Sequence, residues 1–229
     1  MLVYTADVRK KGDSMKKIII IGGTGYAGSA IAREAAARGH NVTSLSRTLP
    51  DQHLEKIHYV QGSAHDDSVL LPLLSEADVV VGAVSPRGDM AGHVRDLYLH
   101  IADETAKLGK RFVIIGGFSS LRPAAGQPRF FESGNIPAQY KDEALEIASI
   151  FDTLKEQTPQ DAQWVFISPA AVFGAYADVK DTGSYRISTD IALFNEQGLS
   201  QISGGDFARG VVDEIEQAHH THENISFVQ

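Results

Sequence analysis

Glycine residues at three-residue spacing form the pattern in this chain that could bind a phosphate. Gly22, Gly25 and Gly28 follow the aliphatic residues 18–21 and precede a helix-forming run at 29–38. A glycine turn between a buried strand and a helix brings phosphate oxygens to the helix N-terminus, where backbone N–H groups and the helix dipole bind them. The motif therefore predicts a dinucleotide site, with Gly22 in the tight turn, Gly25 beside the pyrophosphate and Gly28 packed against the sheet.

The end of the second predicted strand favours NADP(H) over NAD(H). A site specific for NAD(H) usually carries a carboxylate there, which binds the ribose 2′-hydroxyl. Residues 43–48 read Thr-Ser-Leu-Ser-Arg-Thr and contain no acidic residue. The guanidinium of Arg47 can instead pair with a 2′-phosphate, assisted by the hydroxyls of Ser46 and Thr48.

Many reductases move a proton with a tyrosine–lysine pair, and the helix predicted at 138–155 does not carry one. In a Tyr-x-x-x-Lys pair the lysine lowers the tyrosine pKa, so that the phenol can protonate a carbonyl oxygen. The helix that should carry it begins near Tyr140, but the fourth residue onward is Ala144. Tyr176 and Lys180 have the spacing, but they follow the strand at 164–169 and come too late in the chain. The pattern disfavours alcohol and ketone chemistry and leaves hydride transfer to a flavin, which needs no strong protein acid.

Tyr140 and Ser119 are the candidate catalytic residues, as polar groups beside the substrate. Aromatic residues in the same part of the chain could form an apolar wall that stacks and orients two planar rings. The candidates for that wall are Phe118, Phe130, Phe131, Tyr140 and Phe173. For each aromatic residue the alternative is ordinary packing, and for Tyr140 it is a solvated hydroxyl at a helix start.

Strands and helices alternate along the chain, which predicts an α/β fold. Seven apolar stretches have the length of buried strands, at 18–21, 42–46, 57–60, 78–84, 111–117, 164–169 and 225–228. Amphipathic stretches predict helices at 29–38, 66–74, 90–108, 138–155 and 206–217. This order is typical of a Rossmann-type, doubly wound parallel sheet with helices on both faces. We expect a small C-terminal elaboration on its substrate side.

The expected domain organisation is one dinucleotide-binding domain over residues 15–229. Residues 1–14 are expected to be a flexible N-terminal extension, with Met15 as an alternative natural start. Two stretches rich in glycine or proline, 118–137 and 170–200, follow strand ends and are expected to form substrate-side loops.

Composition excludes several functional classes. The net charge of −8 and the pI near 5.5 argue against a nucleic-acid surface. The chain has no cysteine, which excludes disulfides and thiolate chemistry and agrees with a cytoplasmic location. No apolar run is long enough for a membrane span, and no metal site is expected, because the histidines at 219, 220 and 222 lack acidic partners at helical spacing. The expected partner is a small-molecule substrate, and the chain is expected to be a monomer or a homodimer.

Several segments resemble the atypical short-chain dehydrogenase/reductase superfamily, and especially its NmrA-like, NAD(P)-binding branch of NADH-flavin reductases. The superfamily features are the glycine motif at 22–28, Arg47 and the strand ends at 79–85 and 114–117. More specific to the branch are, in chain order, 137–141, 143–145, 164–171, 183–186, 202–203 and 206–208. The resemblance covers about residues 15–229. One departure is Ser63, where relatives often carry an aspartate after the glycine.

The resemblance implies a Rossmann fold, binding of NADP(H) and reduction of flavins such as FMN or FAD, or of quinone-like acceptors. By resemblance, the pyrophosphate would be lined by Gly22, Thr24, Gly25, Tyr26, Ala27 and Gly28. Arg47 would meet the adenosine ribose. The cofactor beyond the fourth strand would border Ala83, Val84 and Ser85, and the nicotinamide would lie near Gly116, Gly117 and Ser119.

The sequence therefore predicts an NADPH-dependent reductase that transfers hydride to a flavin, a quinone or a similar planar acceptor. Two alternatives stay open. One is an NADP(H)-binding regulatory or sensor protein without turnover, since the resembling branch includes a nitrogen-metabolite-repression regulator. The other is an epimerase or carbonyl reductase of the extended short-chain dehydrogenase type.

Overall fold

A computed structural model describes residues 3–5, 15–134 and 136–229, and in these a nine-stranded sheet forms the centre of the fold. The strands are β1 (Val3–Thr5), β2 (Lys17–Ile21), β3 (Asn41–Ser46), β4 (Ile57–Gln61), β5 (Val79–Gly82), β6 (Arg111–Ile115), β7 (Gln163–Pro169), β8 (Ser184–Thr189) and β9 (Asn224–Val228). The helices are α1 (Tyr26–Ala37), α2 (Asp67–Glu76), α3 (Val94–Lys107), α4 (Lys141–Gln157) and α5 (Gly204–Gln217).

The sheet confirms the predicted doubly wound α/β fold. Its strand order is β1-β8-β9-β7-β6-β5-β2-β3-β4, and the strands from β9 to β4 run parallel. The chain moves outward in one direction from β2 through β3 to β4 and then restarts at β5 on the other side of β2. The carboxyl ends of β2 and β5 therefore flank a topological switch point, where open α/β sheets bind ligands.

Apolar side chains alternate between the two faces of the central strand β2 and create two cores. Ile18 and Ile20 are buried in the core that includes α1 and α5, whereas Ile19 and Ile21 are buried in the core of α2, α3 and α4. Full burial of one such side chain contributes about 1.5–3 kcal/mol, so a strand buried on both faces is continuously apolar. This burial explains why the central strands were recognisable from the sequence.

Three helix starts differ from the prediction. The glycine turn leads directly into α1 at Tyr26 rather than at residue 29, because Gly25 is its N-cap. Residues 88–90 and 138–140 form separate 3-10 turns, so α3 begins at Val94 and α4 begins at Lys141. Both turns belong to the edge of the cleft described below.

The region predicted as a loop at 170–200 contains a strand, which corrects that prediction. β8 pairs antiparallel with β9, and β1 pairs antiparallel with β8. Residues 184–188 of β8 alternate between polar and apolar, and its two apolar side chains, Tyr185 and Ile187, pack against the core that includes α1 and α5. Apart from β1, the predicted flexible extension at 1–14 lies outside the described residues. No helix in the described ranges has the length and apolarity that a membrane span requires.

Candidate functional site

A cleft of about 1020 Å³ lies at the carboxyl ends of the parallel strands. Six strand ends contribute to its wall, those of β2, β3, β4, β5, β6 and β7. It is large enough for an extended dinucleotide together with a second planar molecule, since typical ligand pockets measure about 300–1,000 Å³. The location is the one that a doubly wound sheet reserves for ligands.

Nearly all the residues predicted from the sequence line this cleft. Both candidate catalytic residues, Tyr140 and Ser119, do so. The predicted cofactor residues that line it are Gly22, Thr24, Gly25, Tyr26, Ala27, Arg47, Ala83, Val84, Ser85, Gly116 and Gly117. Gly28 is not among the lining residues, and its place is in the packing of the turn.

The glycine turn is built from three different steric requirements. Gly22 has a φ of +82°, and a Cβ there would come 2.8 Å from the carbonyl oxygen of Ala83. A Cβ on Gly28 would come 2.3 Å from the carbonyl oxygen of Gly22, so only glycine lets α1 approach the turn. Gly25 has an ordinary φ of −71° and faces the cleft. Gly22 and Gly28 therefore serve the fold, while Gly25 leaves space on the ligand side.

The N-terminus of α1 is available to an anion. Among the described helices, α1 has neither a side-chain cap nor an acidic residue in its first turn. Asp66 and Ser203 cap α2 and α5. Glu146 of α4 accepts three backbone N–H groups at the start of α3, at 2.7, 2.7 and 3.1 Å. Unsatisfied N–H groups and the helix dipole attract a phosphate, so α1 meets the requirement for holding a pyrophosphate.

The end of β3 carries Arg47 at the edge of the cleft. Its side chain is 50% exposed and forms an ion pair with Asp89, in the 3-10 turn that follows β5. Ser46 has a different role from the predicted one, because its Oγ accepts from the N–H of Thr24 at 3.2 Å and donates to the Leu45 carbonyl at 2.8 Å. That hydroxyl fixes the glycine turn to β3, so it is engaged within the protein.

Tyr98 positions the turn after β5, a role that sequence reasoning missed. Its hydroxyl accepts from the N–H of Val84 at 2.6 Å and donates to the Val84 carbonyl at 3.1 Å. Complete burial raises the pKa of the Tyr98 phenol, which keeps the donor proton in place. In sequence, Tyr98 is one more apolar position on the inward face of α3, and no local signal distinguishes it.

The loop after β6 is a fixed wall of the cleft. The buried guanidinium of Arg129 donates to the Ser120 carbonyl and to Asp190. Arg122 donates to the other carboxylate oxygen of Asp190 at 2.9 Å, and the Asn224 amide donates to the Ser120 carbonyl at 3.0 Å. These contacts tie the substrate-side loop to β9 and to the end of β8, so the residues next to them are held in place.

Two pairs of aromatic rings line the cleft. Phe118 and Phe130 stack with ring centroids 4.8 Å apart and planes 23° apart. Tyr26, the first residue of α1, and Phe173 meet edge to face with ring centroids 5.1 Å apart. All four line the cleft, whereas Phe131 does not, which corrects its assignment to the wall. An apolar, aromatic pocket of this kind suits a planar ligand.

Tyr140 lies at the mouth of the cleft with 51% of its surface exposed. Beside it, Arg87 and Glu143 form a bidentate ion pair at 2.8 and 2.9 Å that joins the loop after β5 to α4. The sequence did not reveal this pair, because the partners are 56 residues apart.

The Tyr-x-x-x-Lys match does not form a catalytic pair. The ammonium of Lys180 pairs with Asp178 at 2.5 Å, and the residues around it are not helical. Tyr176 lines the cleft but is largely exposed. No arrangement of described residues activates a tyrosine with a lysine at this site.

Comparison with known proteins finds similarity over most of the chain. A family model described as NAD(P)H-binding matches residues 22–218. The Bacillus subtilis protein YwnB, itself uncharacterised, is 30% identical over 221 residues, which cover 93% of this chain and 98% of YwnB. A bifunctional pinoresinol-lariciresinol reductase of Forsythia intermedia is 28% identical over 154 residues, which cover 62% of this chain and 43% of the plant enzyme.

Solved structures also resemble this chain over more than nine-tenths of its length. The crystal structure of SP1627 from Streptococcus pneumoniae, described as a "putative NADH-flavin reductase", has a TM-score of 0.79 at 30% identity and covers 93% of this chain and 99% of that chain. The crystal structure of a Bacteroides thetaiotaomicron protein, described as a "putative epimerase", has a TM-score of 0.82 at 29% identity. The match covers 94% of this chain and 97% of that chain.

Proposed function

This chain belongs to the NAD(P)H-binding family, and from that membership we propose that it is an NADPH-dependent reductase that transfers hydride to a flavin, a quinone or a similar planar acceptor. The predicted resemblance to the atypical short-chain dehydrogenase/reductases is confirmed, and the chain is an NAD(P)H-binding oxidoreductase. The observation that carries the proposal is the single cleft that leads from the open N-terminus of α1 to an aromatic pocket without a tyrosine–lysine pair.

The described residues fit a dinucleotide. The uncapped start of α1 would hold the pyrophosphate, and Gly25 leaves room for it. Arg47 would pair with a 2′-phosphate, and no carboxylate at the end of β3 is present to bind a 2′-hydroxyl. When bound, the reduced nicotinamide supplies the hydride. The strand end at Gly116 and Gly117 lines the cleft next to the aromatic wall, and Gly116 is required by packing, since a Cβ there would come 2.0 Å from the buried ring of Phe166.

The acceptor side favours a planar ring system. Phe118, Phe130 and Phe173 would exclude water and orient the acceptor face to face with the donor. Tyr140 could donate a hydrogen bond, but the described residues that line the cleft include no lysine to lower the barrier to proton release. The site therefore suits an acceptor that takes hydride without a strong protein acid, as a flavin does.

The decisive experiment measures NADPH oxidation with three acceptors: free FMN, a small quinone and an aliphatic ketone. We expect turnover with FMN or the quinone and much less with the ketone. Replacing Tyr140 by Phe should leave flavin reduction within about threefold of the wild type, because the ring remains and no proton donor is needed. Tyr176→Phe is the matched control at the cleft mouth.

Two results would change the proposal. Tight NADPH binding without oxidation in the presence of any planar acceptor would indicate a regulatory protein without turnover.

The similarity to the Bacteroides protein supports an epimerase as the second candidate. That candidate predicts conversion of a sugar-like substrate without net NADPH consumption, and a strong loss of turnover in Tyr140→Phe.

A further inference from the structure

An ion pair at the edge of the cleft joins the two strands that flank the glycine turn. Arg47 follows β3, and Asp89 lies in the loop that follows β5. β3 and β5 are the two neighbours of β2, so their ends are about 10 Å apart, two strand spacings. The pair therefore links both sides of the turn where the dinucleotide would be bound.

Asp89 binds one nitrogen, Nη1, of the guanidinium that a 2′-phosphate would need. Among the described residues, Asp89 is the carboxylate that forms an ion pair with Arg47. Arg47 holds the pKa of Asp89 below its usual range, so the carboxylate is charged at neutral pH. Asp89 precedes Met90, which is buried and lines the cleft, so its position is set by packing rather than by a free loop.

We propose that Asp89 is a specificity-determining residue, which limits the preference for NADPH over NADH by competing with the 2′-phosphate for Arg47. This inference rests on the proposed dinucleotide function. With NADPH, the 2′-phosphate must displace the carboxylate or share the guanidinium with it, and two anions at one cation repel each other. NADH has no group there that competes, so the ion pair can stay closed.

Because both side chains are exposed, Asp89 competes only weakly with a 2′-phosphate for Arg47. The side chain of Asp89 is 75% exposed and that of Arg47 is 50% exposed. Exposed ion pairs are screened by water and salt, so a phosphate dianion can replace the carboxylate at small cost. Asp89 therefore reduces NADPH affinity without preventing binding.

The test is calorimetric titration of the full chain with NADPH and with NADH. Removing the charge in Asp89→Asn should tighten NADPH binding by about two- to fivefold and leave NADH binding unchanged. The gain should shrink at high salt. Asp103→Asn is the matched control, because Asp103 forms a similar exposed ion pair, but with Lys107 on α3 instead of Arg47.

The same titrations in the Arg47→Ala variant distinguish competition for Arg47 from direct repulsion between Asp89 and the 2′-phosphate. In Arg47→Ala, NADPH should lose its advantage over NADH, and adding Asp89→Asn should bring no further gain. An equal gain in that background, or an unchanged NADPH-to-NADH ratio in Asp89→Asn alone, overturns this inference. If the wild type binds neither dinucleotide, the proposed function itself fails. If the wild type binds both dinucleotides and Asp89→Asn changes neither affinity, only the inference about Asp89 fails.

Discussion

Replacing Gly25 by alanine should separate dinucleotide binding from folding. Gly25 is the N-cap of α1 with φ −71° and ψ 173°, a conformation open to any residue. An added Cβ would have one close neighbour, the Gly22 carbonyl oxygen at 3.3 Å, so the turn needs to move by only a few tenths of an ångström. Alanine is a poorer N-cap than glycine, which adds a cost of about 0.5–1 kcal/mol. We expect a melting temperature lower by about 2–4 °C.

The same methyl group would point at the place of the pyrophosphate. Gly25 lines the cleft at the open start of α1. Each charge-assisted hydrogen bond to a phosphate contributes about 1.5–3 kcal/mol, and displacing the phosphate would lose at least one. We therefore expect NADPH binding to weaken by about 10- to 100-fold. Calorimetry or nicotinamide fluorescence should be used, because Trp164 is buried and does not line the cleft.

Gly39→Ala is the matched control with the opposite expectation. Gly39 has a φ of +90° in the turn after α1, and no atom lies within 4 Å of an added Cβ. Alanine is strained in this conformation by about 1 kcal/mol, while the cleft is untouched. Stability should fall and NADPH binding should persist. If Gly25→Ala binds NADPH as the wild type does, the pyrophosphate is not held at α1, and the reasoning from the glycine turn is refuted.

Three further predictions concern contacts away from the cofactor. Glu146→Ala should lower the free energy of unfolding in urea by about 1–3 kcal/mol, because the three N–H groups at the start of α3 lose their acceptor; an unchanged urea midpoint would show that water replaces the carboxylate fully. Ser120→Ala should raise the melting temperature, since the buried Oγ has no partner among the described residues, at a gain of up to about 1 kcal/mol; a clear loss would reveal a partner for that hydroxyl. The hydrogen bond to Glu214 raises the pKa of His220, so its stabilisation is present below about pH 6.5 and is lost as the pH rises through the folded-state value. The free energy of unfolding in urea should therefore fall between about pH 6 and 8 in the wild type and stay constant in His220→Gln. The same pH dependence in both proteins would contradict this linkage.

The parts of the fold that the sequence predicted well are those set by local patterns. The glycine motif requires particular residues because backbone atoms approach within van der Waals distance, as at Gly28. The central strands are apolar throughout because they are buried on both faces, and amphipathic helices follow from their spacing. β8 was missed although its residues 184–188 alternate between polar and apolar, because this short pattern has only two apolar residues and lies in a stretch interrupted by Gly174, Gly183 and Gly198.

The parts of the candidate site that the sequence could not predict depend on side chains far apart in the chain. Arg47 was recognisable from its position after a strand, but its pairing with Asp89 depends on how the loops after β3 and β5 meet. Glu146 covers the start of α3 from a different helix, a contact that spans 52 residues to its central partner. Such partners leave no periodicity or motif.

The sequence by itself determined the α/β fold and the glycine turn, because backbone sterics and burial restrict which residues can stand next to one another in these features. Only the tertiary structure decided which charges meet and which helix N-terminus stays open. An ion pair or a cap depends on distances between elements, and those distances exist only after the two cores have packed against the sheet.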